Sequence, residues 1–132
     1  MTVADASAVL DVILRQARAA VIGAHLARLA ELHVPEHFHV EAISALRRLR
    51  LRGGLSEHAA QQSLRSLARL RVVRYPVLGL SETIWSLRDQ LTAYDAAYLA
   101  LALRLGAELV TSDAALAAAA EQHGVPVALG RS

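Results

Sequence analysis

Four acidic side chains stand where the chain changes character, and their types point to one shared task. Asp5 follows a short apolar run and precedes an apolar-periodic stretch, so it sits where a strand turns into a helix. Asp113 occupies the same kind of junction after Glu108 to Thr111. Asp95 falls in the first turn of a helix opened by Thr92. Glu41 lies roughly 60° from Phe38 on a helical run, at the margin of its buried face. Carboxylates that converge in one cleft cannot all stay ionised unless a cation sits among them. An all-oxygen set suits Mg²⁺ or Mn²⁺, hard ions that keep several waters and bind through carboxylates together with substrate phosphates. The chemistry such an ion serves is hydrolysis at phosphorus. Without it an acidic cleft repels a polyanion, and little hydrolysis is expected.

Each acid also has a plainer role open to it. An aspartate just before a helix caps free N–H groups, which covers Asp5 and Asp113 taken singly. Asp95 fits a capping box with Thr92. Glu41 could join a salt bridge on the helix surface, although Arg48, two turns on, supports this only in part. The pairing of Asp5 with Asp113 favours a site, because ligands of open parallel sheets lie beyond the carboxyl ends of strands, near the point where strand order reverses.

The elements that must position these acids follow from periodicity. A first strand ends at Asp5 and a helix runs from Ser7 to Arg15. A second helix is expected over Ala17 to Leu32, then a short strand at His33 to Pro35. Helical spacing covers Glu36 to Arg52, stopped by Gly53-Gly54. Ser56 caps a helix that reaches Leu70, and Val72 to Val77 is rich in strand formers. Helices are expected from Ser81 to Gln90 and from Thr92 to Leu105, the latter closed by Gly106. The strand Glu108 to Thr111 leads into a helix from Ala114 to His123, ended by Gly124, and Val125 to Leu129 can add an edge strand. Strands that alternate with helices predict a parallel sheet covered on both faces. With 132 residues, the chain is read as one domain spanning 1–132.

Composition removes several kinds of chemistry. Cysteine is absent, which excludes disulfides, thiolate nucleophiles and thiolate zinc sites. Lysine is absent too, so all 14 basic side chains are arginines and a phosphate loop built on lysine is excluded. The net charge is only +2, yet the pI is near 9.7. Either a bias toward arginine or a phosphate-binding role accounts for this. Apolar residues make up 55% of the chain, enough to suggest that some apolar surface is covered by a partner or a second copy. Arginines interrupt each apolar stretch before it could span a membrane. Met1-Thr2 runs into Val3-Ala4-Asp5 without a basic leader, so a cytoplasmic location is expected.

Taken in order, Val3-Ala4-Asp5-Ala6-Ser7, Val40-Glu41-Ala42, Tyr94-Asp95-Ala96-Ala97-Tyr98 and Val110-Thr111-Ser112-Asp113 resemble the motifs of VapC-type PIN domains. The likeness spans nearly the whole chain and includes Leu32-His33-Val34-Pro35, Arg47-Arg48, Gly53-Gly54 and Gly106. It implies a PIN-like three-layer α/β/α fold with a central parallel sheet of about five strands. It further implies a metal-dependent endoribonuclease acting as the toxin of a type II toxin–antitoxin pair. By this resemblance Asp5, Glu41, Asp95 and Asp113 are the catalytic acids, with Asp5, Asp95 and Asp113 on Mg²⁺ or Mn²⁺. Ser7 and Thr111 are then supporting polar groups. A homodimer and a cognate VapB-type antitoxin are implied as well; the antitoxin's tail would pack on apolar helices and can send a basic side chain into the acidic site.

Other residues admit two readings. Arg47 and Arg48 are candidates for RNA phosphate contacts, which position a strand without reading it; a solvated helix face explains them equally well. His33, His37 and His39 lack a matching second pair, which disfavours a zinc site. Trp85, Tyr94 and Tyr98 could stack bases, but packing in the core or a dimer is the expectation. Two rival functions stay open: a silent PIN-like protein-binding module, and an aspartate-based phosphoryl-transfer domain. The missing lysine and the serine at position 7 weigh against the second.

Overall fold

A computed structural model describes residues 1–14 and 31–129. Five strands, β1 (Thr2–Ala4), β2 (Leu32–Pro35), β3 (Val72–Tyr75), β4 (Glu108–Thr111) and β5 (Val127–Leu129), form one sheet in the order β3-β2-β1-β4-β5. Every neighbouring pair is parallel. The chain leaves β1 toward β2 and β3 on one side and returns to β4 and β5 on the other. Strand order therefore reverses between β1 and β4, the position that opens a crevice at the carboxyl ends of the strands.

Among the described residues the helices are α1 (Ala6–Ile13), α2 (Phe38–Leu51), α3 (Glu57–Arg69), α4 (Ser81–Ser86), α5 (Ala93–Leu105) and α6 (Ala114–Gln122). A 3₁₀ turn, Leu78–Leu80, precedes α4. Thr2, Val3 and Ala4 are all buried, although successive strand side chains point to opposite faces, so both faces of the sheet are covered. The α/β architecture is the one the alternation of elements predicts.

The central helix is α5, which packs against β1, β2 and β4. Seven consecutive residues, Ala96 to Ala102, are buried in it, so it is enclosed on all sides. Alanines at 96, 97, 100 and 102 allow close approach, while Tyr98, Leu99 and Leu101 fill space; burial of each leucine contributes about 1.5–3 kcal/mol. Part of the apolar surplus is thus absorbed inside the domain. Among the described residues another part is exposed, as at Val40, Leu51, Leu78 and Trp85.

Capping follows the sequence signals. Ser56 Oγ accepts from Ala59 N at 3.1 Å and Thr92 Oγ1 from Asp95 N at 3.2 Å. Gly106 closes α5 with φ 62°, a left-handed conformation that a Cβ disfavours. Several boundaries differ from expectation, three of them with a visible cause or consequence. The helix expected from Ser81 to Gln90 ends at Ser86, where Arg88 Nη1 donates to the Trp85 carbonyl at 2.9 Å. Strand β3 stops at Tyr75, because Pro76 has no N–H for the ladder. Leu32 belongs to β2 rather than to the preceding helix; the remainder of that expected helix, and the end of the first, lie outside the described residues. No helix among the described residues is long and apolar enough to cross a membrane.

Candidate active site

Asp5 leaves the end of β1 and caps α1, its Oδ1 accepting from Ala8 N at 2.9 Å. Its backbone N–H continues the ladder to the Val110 carbonyl at 3.1 Å. Because Ala4 pairs with Val110 in register, the next residue on β4, Thr111, stands beside Asp5. Thr111 Oγ1 donates to Asp5 Oδ2 at 2.5 Å and Ser7 Oγ donates to Oδ1 at 2.9 Å. Asp5 is only 4% exposed. Burial pushes its pKa up to about 6, an effect that the three donors only partly offset, with Asp95 adding repulsion.

Asp113 repeats the design one strand over. Its Oδ1 caps α6 by accepting from Leu116 N at 2.9 Å, and its own N–H donates to Thr111 Oγ1 at 2.9 Å. Thr111 thereby ties both strand-end acids together. Both aspartates are therefore helix caps as well as neighbours at the point where strand order reverses.

The other two acids come from helices. Asp95 stands in the first turn of α5, and its pKa is raised by burial and then by the negative charges of Asp113 and Glu41, against relief from His37 and Thr92. Glu41, in the first turn of α2, accepts from Tyr98 Oη at 2.7 Å. Tyr98 is wholly buried; its hydroxyl also meets the Ala6 amide, and burial and Glu41 raise its pKa. A tyrosine of α5 thus orients a glutamate of α2 at the start of α1. Arg48, considered as a salt-bridge partner of Glu41, instead donates from Nη1 to Ser44 Oγ at 3.2 Å, and the group at ion-pair distance from Glu41 is His37.

All four acids line one cavity of about 460 Å³, together with Ala6, Ser7, His37, Val40, Ser44, Ala45, Arg48 and Tyr94. The expected site residues Asp5, Glu41, Asp95, Asp113 and Ser7 are thus brought together, with Thr111 directly behind Asp5. Arg48 reaches the same cavity. Arg47 does not; it lines a separate groove between α2 and α3 with Ile43, Arg50 and Glu57. The histidines diverge. His33 Nδ1 meets Tyr75 Oη at 2.7 Å, His39 packs edge-on against Phe38, and His37 Nε2 lies 3.1 Å from the Tyr94 carbonyl. A carbonyl can only accept, so the His37 proton sits on Nε2, 3.9 Å from Glu41 Oε1.

Helical spacing places His37 one turn from Glu41, as the structure has it; Tyr98 was not singled out from sequence as a partner of Glu41. Of the three aromatics expected to pack in the core or a dimer, Tyr98 lies in the core, while Trp85 and Tyr94 are 68% and 64% exposed in the single chain.

The donor set fits a hard divalent cation. Its side-chain donors are oxygens, and the two acids with raised pKa values repel their neighbours, a tension that a cation relieves. Ser112 Oγ, next to Asp113, is buried without a hydrogen-bond partner, an atom that ordered water could satisfy. No group of three or more Asp, Glu or His among the described residues forms a ready-made cage.

A sheet of this order with acids at its reversal point defines a class, and the chain belongs to the PIN-domain family, whose model matches residues 2–127. Within that family its curated relatives are VapC ribonucleases. It is 44% identical over 113 residues to a VapC ribonuclease of Mycobacterium bovis, covering 86% of each chain. It is 39% identical over 118 residues to ribonuclease VapC3 of Mycobacterium tuberculosis, covering 89% of this chain and 85% of that one. Among solved structures it resembles VapC20 of Mycobacterium tuberculosis, a sarcin–ricin loop cleaving toxin, with a TM-score of 0.69 at 20% identity over 90% of this chain and 95% of that one. The fold also matches VapBC-1 of nontypeable Haemophilus influenzae, with a TM-score of 0.63 at 17% identity over 98% of this chain and 97% of that one.

Proposed function

We propose that this chain is a Mg²⁺- or Mn²⁺-dependent endoribonuclease and the toxin of a type II toxin–antitoxin pair. The observation that carries the reading is the convergence of Asp5, Glu41, Asp95 and Asp113, from four separate elements, on one cavity at the carboxyl ends of β1 and β4. Its relatives' name, ribonuclease, supplies the substrate class. Asp5, Asp95 and Asp113 hold the ion. When bound, the ion supplies an activated water and offsets charge on the departing oxygen. Thr111 and Ser7 keep Asp5 in place by donating to it. Glu41, oriented by Tyr98, takes the proton of the attacking water, and Arg48 holds a phosphate of the strand.

The same reading assigns a VapB-type antitoxin as partner, a homodimer as the working form and the cytoplasm as the location. Support for the antitoxin comes from neighbours solved as toxin–antitoxin assemblies and from exposed Ile43, Leu51 and Leu64 on α2 and α3, which suit an apolar tail. The test is a cleavage assay on single-stranded and structured RNA with Mg²⁺, Mn²⁺ or EDTA. Wild type should cut only with metal, and Asp95→Asn should cut at least about 100-fold more slowly while melting normally. Cleavage that persists in EDTA would overturn the reading.

A further inference from the structure

The cavity is chemically lopsided along α2. At the start of the helix stand His37 and Val40, joined by Tyr94 from the start of α5. Two turns further on, about 10 Å along the axis, stand Ser44 and Arg48, which line the same cavity. One end is apolar and aromatic, the other polar and cationic.

Tyr94 differs from the other aromatic groups near the site. The chain has one Phe, one Trp and three Tyr, and Phe38 and Tyr98 are wholly buried. Tyr94 is 64% exposed, and Val40 beside it is 70% exposed. Its backbone is nevertheless held, because the carbonyl accepts from His37 Nε2 at 3.1 Å. Its ring meets the His37 ring nearly edge-on, with centroids 5.8 Å apart. Asp95, the residue after it, carries one of the four acids. An open ring on a fixed backbone next to that acid has the geometry of a stacking platform, and every base offers it a π-face.

We propose that Tyr94 stacks an unpaired base adjacent to the scissile phosphate while Arg48 grips the backbone at the opposite end of the cavity. This rests on the ribonuclease reading above, and it makes contact with Tyr94 easiest for an unpaired base, since one held in a duplex must first unpair and unstack. A cavity near 460 Å³ lies toward the small end of ligand pockets, roughly 300–1,000 Å³, and admits a nucleotide rather than a duplex.

The experiment uses a single-stranded RNA oligonucleotide that wild type cuts at one bond, resynthesised with an abasic site at each position flanking that bond. For wild type, one flanking abasic site should lower kcat/KM by about 10-fold or more, and the opposite flank should matter much less. Tyr94→Ala should lose a similar factor on intact RNA and be indifferent to the abasic site, whereas Tyr94→Phe and Tyr94→Trp retain activity. As a reading independent of turnover, 2-aminopurine at the sensitive position should be quenched on binding to Asp5→Asn protein and not to Asp5→Asn/Tyr94→Ala protein. Equal losses from the abasic site in wild type and Tyr94→Ala, or no loss at either flank in wild type, would overturn the assignment. Should Tyr94→Ala fail to fold, Tyr94→Leu, which keeps bulk and removes the π-face, takes its place in the same comparison. A wild type that cuts no RNA with Mg²⁺ or Mn²⁺ instead overturns the ribonuclease reading, and the stacking role falls with it.

Discussion

The acids at the strand ends and the acids on the helices reach the same cavity by different means. Asp5 and Asp113 are set by backbone: each ends a strand, each caps the following helix, and Thr111 links them. Glu41 and Asp95 are set by packing, Glu41 through a hydroxyl from a helix more than fifty residues away and Asp95 through the seating of α5 on the sheet. The strand-end pair is thus fixed by backbone contacts, yet only Asp5 is fully buried; Asp113, like Asp95 and Glu41, is partly exposed, and Asp95 is raised by burial and then by the charges of Asp113 and Glu41. A stable fold gains nothing from Asp5 as an anion, since burial works against its ionised form. Its retention there points to a use for that charge.

The comparison breaks most visibly at Asp5. Its pKa near 6 against an ordinary 3.8 means that the folded state binds the proton more tightly than the unfolded state. The metal-free protein should thus gain stability as pH falls from about 6 toward 4 and carry the full penalty, about 3 kcal/mol, above about pH 7. Asp5→Asn keeps an oxygen that can cap α1 and removes the buried charge. Thermal melts at pH 7.5 without metal should show it several degrees more stable than wild type, with a flatter pH dependence, while RNA cleavage falls by about 1,000-fold or more. A less stable Asp5→Asn would make Asp5 a structural cap and no more.

Tyr98→Phe sharpens the contrast from the helix side. It leaves packing intact and frees Glu41 from its donor, so kcat should fall about 10- to 100-fold. The melting temperature should change by only a few degrees, because Glu41 is partly open to water. Unchanged kcat would show that Glu41 needs no positioning. The smallest effect is expected for the arginines: Arg48→Ala should raise KM several-fold and flatten its salt dependence by about one unit of log–log slope, while Arg47→Ala, facing another groove, should leave both alone. Equal effects of the two would remove Arg48 from the site.

These differences also mark what could be read from residues alone. The strand-end acids were legible because capping and strand termination are local, and the parallel sheet followed from the alternation of elements. Local signals left the role of Asp5 ambiguous between cap and ligand, since its backbone contacts serve both. Glu41 was legible only as an odd residue at a helix margin; its partner Tyr98 lies in α5, and no periodicity links positions 41 and 98. Arg47 and Arg48 were equivalent in sequence and separate in space, because about 100° of helical rotation sends neighbours to different grooves. The exposure of Tyr94 was likewise hidden, as its spacing matches that of residues that pack inside.

The central claim is that these carboxylates give up protons to hold a divalent ion, and calorimetric titration of Mn²⁺ at pH 6, repeated in buffers of different ionisation enthalpy, measures that step directly. Wild type should bind Mn²⁺ with net release of about half a proton or more, because Asp5 is near half-protonated there, and Asp5→Asn should bind far more weakly. Binding by Asp5→Asn equal to wild type, or binding without proton release, would contradict the account.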